Sequence, residues 1–204
     1  MAATTRTRSR MSVPERRALI LDAATQLIGD RGFRGMSLRD VAVLAGITEA
    51  GVLYHVGSKD GLLVAVLEHR DEVDMASLAE RLGVDVETLD EDPLPVTLPA
   101  LCRALVDRNA LQPQIVRLYA TLEAESLEAD HPANAYFRER ETWALGLFAR
   151  AATTSGVEDP ARTSLAMLSL MDGLQLRWLR DPTRIDLVHE WEALSEVFLG
   201  GPRA

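Results

Sequence analysis

Residues 37–59 bring together Ser37, Arg39, Thr48, Glu49, Ala50, Gly51, Tyr54, His55 and Lys59. Hydroxyls, a guanidinium, a phenol, an imidazole and an ammonium can all donate to phosphate oxygens, and a few of these groups can also pair with base edges. Thr48 can hydrogen-bond either a base or a phosphate. Glu49 only accepts when ionised, so it suits a cytosine amino group and repels phosphate, which favours selectivity over affinity. Ala50 offers a methyl contact and Gly51 a close backbone approach. Ser37, Arg39, Tyr54, His55 and Lys59 are the candidates for holding phosphates and setting register. A plainer reading stands beside this one: Ser37 and Thr48 serve as helix caps and Tyr54 as a core residue.

These groups need short helices to present them, and the local patterns supply candidates. Ser12-x-x-Glu15 reads as a capping box ahead of Leu19, Ile20, Ala23, Ala24, Leu27 and Ile28 at helical spacing, with Gly29 and Gly32 expected to end that helix. Ser37-x-x-Asp40 opens a second helix that stops at Gly46, and Thr48 can cap a third that runs to His55. Gly57 breaks the third helix, and Ser58 can cap a fourth that continues to about Arg81. Two short helices around Gly46 make residues 37–55 a helix-turn-helix candidate.

Charge divides the chain in the same way. Residues 1–59 carry nine Arg or Lys against five Asp or Glu, whereas residues 60–204 carry thirteen against twenty-six. A basic N-terminal segment on an acidic body is the footprint expected when one end of a protein meets phosphates. Arg6, Arg8 and Arg10 lie in a Ser/Thr-rich stretch, and residues 1–11 are expected to be disordered. Lys59 is the only lysine beside 21 arginines.

Several function classes lack support. No apolar run approaches the ~20 residues of a membrane span, and the N-terminus does not read as a signal peptide, so a cytoplasmic location is expected. Cys102 is the sole cysteine, and His55, His69, His131 and His189 show no metal-ligand spacing. With no Gly-rich phosphate loop either, no enzyme activity, metal or cofactor is expected. The surviving alternative is a helical protein-interaction or small-molecule carrier module that does not bind DNA.

Beyond residue 82, the acidic, proline-containing stretch 83–95 reads as a solvated linker, since the calcium-loop pattern is absent. Pro113, Pro132, Pro160 and Pro182 each follow a plausible cap, which predicts helices over 96–109, 113–129, 132–154, 160–180 and 183–199. Leu187, Trp191, Leu194 and Phe198 form a four-three-four stripe that fits against another helix.

Residues 33–63, from Phe33-Arg-Gly-Met-Ser-Leu-Arg-Asp through Gly46-Ile-Thr-Glu-Ala-Gly-Val-Leu-Tyr-His to Gly57-Ser-Lys-Asp-Gly-Leu-Leu63, closely resemble the DNA-binding signature of the tetracycline-repressor (TetR) family. Leu53 stands where many members carry a tyrosine, with Tyr54 next to it, and Val56 and Gly57 replace a phenylalanine and a proline. Met171-Asp-Gly-Leu-Gln-Leu-Arg-Trp-Leu-Arg-Asp-Pro182 is similar to the penultimate helix of many members.

The resemblance implies an all-α protein of about nine helices. Residues 1–58 would form a three-helix helix-turn-helix domain, and 59–204 an effector-binding and dimerisation domain. It further implies a homodimer on an inverted-repeat operator in double-stranded DNA, mostly as a repressor, released by an unidentified small-molecule effector. Leu187, Trp191, Leu194 and Phe198 would then face a second subunit. Trp143, Leu147, Met167, Met171, Leu174 and Gln175 are the candidate pocket wall, with Arg103 or Arg177 as anion anchors.

Overall fold

The computed structural model describes residues 11–199 and is all-helical over them. The stretch containing Arg6, Arg8 and Arg10, with the disorder expected there, lies outside the described residues. Two compact units divide the chain, one ending at Val66 and the other beginning at Leu67.

The first unit contains α1 (Val13–Gly35), α2 (Leu38–Ala45), α3 (Glu49–Val56) and the start of α4 (Lys59–Leu82). The capping box at the start of α1 forms: the Ser12 hydroxyl accepts from the Glu15 N–H at 3.3 Å, and the Glu15 carboxylate accepts from the Ser12 N–H at 2.7 Å. Those bonds to the charged form lower the Glu15 pKa. Gly29 stays helical, contrary to expectation, and the break falls at Gly32 alone (φ 72°, ψ 165°), after which the helix resumes to Gly35. Gly46 does end α2, at φ 68°, a conformation that costs a side-chain-bearing residue roughly 1–2 kcal/mol. Ile20, Ala24, Val41, Val52, Leu62, Leu63 and Val66 are fully or almost fully buried and form this unit's core.

The second unit holds the remainder of α4, a 3₁₀ turn (Val86–Asp90), α5 (Leu98–Ala110), α6 (Pro113–Glu125), α7 (Asn134–Thr154), α8 (Pro160–Arg180) and α9 (Leu187–Leu199). Helix α7 packs along α8, and α5 packs against α7 and α9. Pro113 and Pro160 open α6 and α8 as predicted, but α7 and α9 start beyond Pro132 and Pro182. Asp186 opens α9 instead, accepting from the Val188 and His189 N–H groups at 3.0 Å each.

The stretch 83–95 is not a solvated linker. Leu89 and Leu94 are buried, as is Val96 just beyond it, and three α7 side chains fasten the region. Trp143 Nε1 donates to Asp90 at 2.9 Å, Arg150 to the Leu89 carbonyl at 2.7 Å and Thr154 to the Leu94 carbonyl at 2.6 Å. Two leucines among five acids supply the burial that composition alone conceals. No single helix among the described residues is long and apolar enough to cross a membrane, and no described His, Cys, Asp and Glu converge as metal ligands.

Candidate nucleic-acid interface and ligand cavity

Thr48 caps α3 by accepting from the Gly51 N–H at 3.1 Å, which leaves the hydroxyl proton free to donate. Capping and nucleic-acid contact are therefore compatible there. Thr48, Glu49 and Ala50 are exposed at the start of the helix, whose Val52 is buried against the unit's core, and Gly51 is half-buried. The Glu49 side chain makes no hydrogen bond or ion pair with another described residue, so its carboxylate is available to an incoming donor.

Ser37 behaves differently. Its hydroxyl accepts from the Asp40 N–H at 3.1 Å and donates to the Asp40 carboxylate at 2.6 Å. A phosphate needs a donor, and this proton is already committed, so the geometry assigns Ser37 to the cap. Arg39 is exposed, and Tyr54 is 82% exposed, edge-on to His55 with ring centroids 5.3 Å apart. Tyr54 is therefore a surface residue and not a core one.

Lys59 begins α4 behind Ser58, whose hydroxyl accepts from the Gly61 N–H at 2.9 Å. The ammonium lies 4.8 Å from the Phe33 ring centroid and 3.5 Å from the Arg34 carbonyl. It is thus held beside a helix N-terminus, where free N–H groups also favour an anion. Gly61 follows because a Cβ there would collide with the Val56 carbonyl. Sequence reading missed Arg17, which donates to the His55 carbonyl at 3.0 Å and ties α1 to the end of α3.

The second unit contains a cavity of about 950 Å³, partly open to solvent and within the range of small-molecule sites. Two polar networks stiffen its wall. In one, the Asp71 carboxylate accepts from Tyr119 at 3.0 Å, Arg140 at 3.2 Å and Tyr136, while the Arg140 guanidinium sits 4.6 Å from the Tyr119 ring centroid. Burial opposes the Arg140 charge, but Asp71 and the tyrosines outweigh it and raise the pKa. Burial likewise pushes both phenols up.

In the other network Asp74 accepts from Arg70 at 2.8 Å and from Gln112 at 3.1 Å, and its backbone carbonyl accepts from Arg108 at 3.0 Å. Arg108 continues to Asn109 Oδ1, and Asn109 donates to Gln175 at 2.7 Å. Burial lowers the Arg108 pKa. Two further lining carboxylates, Glu123 on α6 and Asp172 on α8, bond to no described residue. Asp172 is reached by solvent, yet enough protein surrounds it that desolvation, reinforced by Glu123, raises its pKa to about 6.

Of the predicted pocket residues, Trp143, Leu147, Met171 and Gln175 line this cavity. Met167 and Leu174 are buried in the surrounding core. Neither arginine proposed as an anion anchor lines it: exposed Arg103 pairs with Asp107 and Glu192, and Arg177 donates to the Gly173 carbonyl on its own helix. The α9 stripe is also divided. Leu187 and Trp191 are each 2% exposed in the chain's own core and Leu194 packs partly against it, whereas Phe198 is 57% exposed. Spacing could have shown more of the cavity: Asp71 and Asp74 on α4, and Tyr136 and Arg140 on α7, are three or four apart and share a helix face.

Residues 20–66 match the family described as bacterial regulatory proteins, tetR family. Over 195 residues the chain is 27% identical to the HTH-type transcriptional regulator TtgR of Pseudomonas putida, covering 91% of this chain and 90% of that protein. A crystal structure of a putative TetR-family transcriptional regulator from Rhodococcus sp. matches with a TM-score of 0.65 at 26% identity, covering 92% of this chain and 96% of that one. NalD, described as the secondary repressor of the MexAB-OprM multidrug efflux pump in Pseudomonas aeruginosa, matches with a TM-score of 0.66 at 24% identity, covering 93% and 98%. The relatives are regulators and not enzymes, and the family match falls on the unit that carries Thr48, Glu49 and Lys59: residues 20–66 are a DNA-binding domain of the TetR family, and over nine-tenths of its length the chain is similar to transcriptional regulators.

Proposed function

We propose that the protein is a repressor that binds an inverted-repeat operator as a homodimer and lets go when a small molecule enters the cavity of the second unit. The observation that carries this reading is the cavity of about 950 Å³ in a chain that also presents an exposed DNA-reading helix. Helix α4 supplies Lys59 to the DNA-binding unit and Asp71, Asp74 and Met75 to the cavity wall, so a ligand that shifts α4 acts on a helix common to both. Within the reading head, Thr48, Glu49, Ala50 and Gly51 meet base edges, and Arg39, Tyr54, His55 and Lys59 meet the backbone. Exposed Leu165 and Leu176 on α8 and Val197 and Phe198 on α9 support the dimer.

The test is fluorescence anisotropy with duplex DNA from upstream of the protein's own gene, combined with light scattering. Two chains per inverted repeat, with saturable binding that survives competitor DNA, is the expected result. A monomer at micromolar concentration, or equal affinity for scrambled DNA, rules the reading out.

A further inference from the structure

We propose that the ligand of this cavity is an organic cation carried on an apolar or aromatic body, with Asp172 and Glu123 as its counter-charges. The proposal rests on the reading of the cavity as the effector site and adds the ligand's chemical class.

The argument starts from charge. Seven carboxylates line the cavity against two guanidiniums, Arg108 and Arg140. Both guanidiniums are already engaged: Arg140 bonds to Asp71 and covers the Tyr119 ring, and Arg108 bonds to Asn109 and the Asp74 carbonyl. An anionic ligand would therefore have to break an existing network to find a cation. Asp172 and Glu123 are in the opposite position. No described residue bonds to either carboxylate, and each other's nearness disfavours ionising both. The charged groups acting on Asp172 from neighbouring helices are Glu123 on α6 and Arg140 and Glu141 on α7, two acids against one base that Asp71 already pairs. With its pKa near 6, Asp172 is ionised at neutral pH and lacks a counterion.

The rest of the wall decides what kind of cation fits. Trp143, Leu147, Phe148 and Met171 also line the cavity, and the Trp143 N–H is directed to Asp90, so the indole offers its apolar surface and π-face rather than a donor. No three ligating side chains converge among the described residues as a metal ion requires. A bulky monovalent amine, ammonium or phosphonium satisfies both halves of the site.

The experiment is isothermal titration calorimetry on the full chain at neutral pH and physiological ionic strength. Three probes carry phenyl groups around one central atom and differ in charge: tetraphenylphosphonium and tetraphenylborate, which share a shape, and neutral triphenylphosphine oxide, in which an oxygen replaces one ring. The cation is expected to bind at least about tenfold more tightly than the other two. The double variant Asp172→Asn, Glu123→Gln should lose most of that preference while its affinity for the neutral oxide stays within about twofold. If the double variant fails to fold by circular dichroism, Asp172→Asn alone should show a partial loss.

Equal or tighter binding of the borate or the oxide, no binding of the phosphonium at millimolar concentration, or a preference unchanged by the variants overturns the proposal. Ala144→Trp, which fills the cavity, separates this failure from failure of the broader reading. Neutral or anionic binding that Ala144→Trp abolishes leaves the cavity a ligand site and removes only the cation. Phosphonium binding that Ala144→Trp leaves untouched removes the cavity as its site and the proposal with it. Phosphonium that binds in the cavity without weakening binding to the promoter duplex supports the cation and refutes ligand release.

Discussion

At the scale of single residues, Lys59 and Glu49 are proposed to have opposite jobs. Lys59 is held beside a helix N-terminus by Phe33 and the Arg34 carbonyl, which suits a phosphate contact that positions without specifying. Lys59→Ala should make the slope of log affinity against log salt shallower by roughly 2 per dimer, at about 0.9 per contact, with base preference unchanged. Any loss of the contact with Phe33 would lower stability without altering that slope, so titrations at several salt concentrations separate the two effects. Glu49, exposed and unpaired, should carry discrimination: Glu49→Ala is expected to relax preference at one base pair per half-site by about 1–3 kcal/mol, and an unchanged site-selection profile would count against it.

Asp172 gives a prediction of a different kind. Its folded pKa of about 6 lies above the ordinary 3.8, so folding favours its protonated form. Stability from that group is fully present below 3.8 and is lost as pH rises through about 6. Asp172→Asn should therefore raise the melting temperature at pH 7 and leave it nearly unchanged near pH 4, which thermal scans at the two values would check. The sequence singled out Lys59 and Glu49 because each follows a recognisable helix cap, Ser58 and Thr48. It did not single out Asp172 or Glu123, because an acid on a helix reads as fully solvated until helices distant in sequence are seen to gather around it.

Among the elements, the helix starts capped by a serine or threonine hydroxyl were legible. Ser12, Ser37, Thr48 and Ser58 each accept the N–H three residues on, and Gly46 takes the left-handed turn. Proline was a weaker sign, since Pro132 and Pro182 lie ahead of α7 and α9 without opening them, and an acidic side chain, Asp186, opens α9. The stretch 83–95 was misread because its acids outnumber its leucines, although the leucines decide where it sits. Leu89 is 1% exposed. Leu89→Ala should cost about 2–5 kcal/mol in urea unfolding, as for a core leucine, where a solvated linker residue would change stability by no more than about 0.5 kcal/mol.

For the whole molecule, the charge asymmetry of the sequence fits the proposed partners: residues 1–59 are basic, as phosphate contacts need, and residues 60–204 are acidic, which repels phosphate and attracts cations. In the proposed dimer the subunit contact sets the spacing of two reading helices, and the α9 stripe shows which residue can test it. The stripe looked uniform in sequence because spacing reports a shared face and not what covers it. Charge at Leu187 or Trp191 would enter the chain's own core, each being 2% exposed, and would unfold the protein rather than separate subunits. Phe198 is 57% exposed, with Val197 beside it at 65%, so Phe198→Glu leaves the core intact and places a carboxylate on the surface proposed to meet its copy. The variant should keep its helical circular dichroism and melting temperature at high dilution, yet scatter light as a monomer at micromolar concentration. A palindromic site presents half-sites about 34–36 Å apart, and a monomer engages only one of them. Its affinity for the full inverted repeat should therefore fall to that for an isolated half-site, whereas a dimer that survives the charge would place the interface on another face.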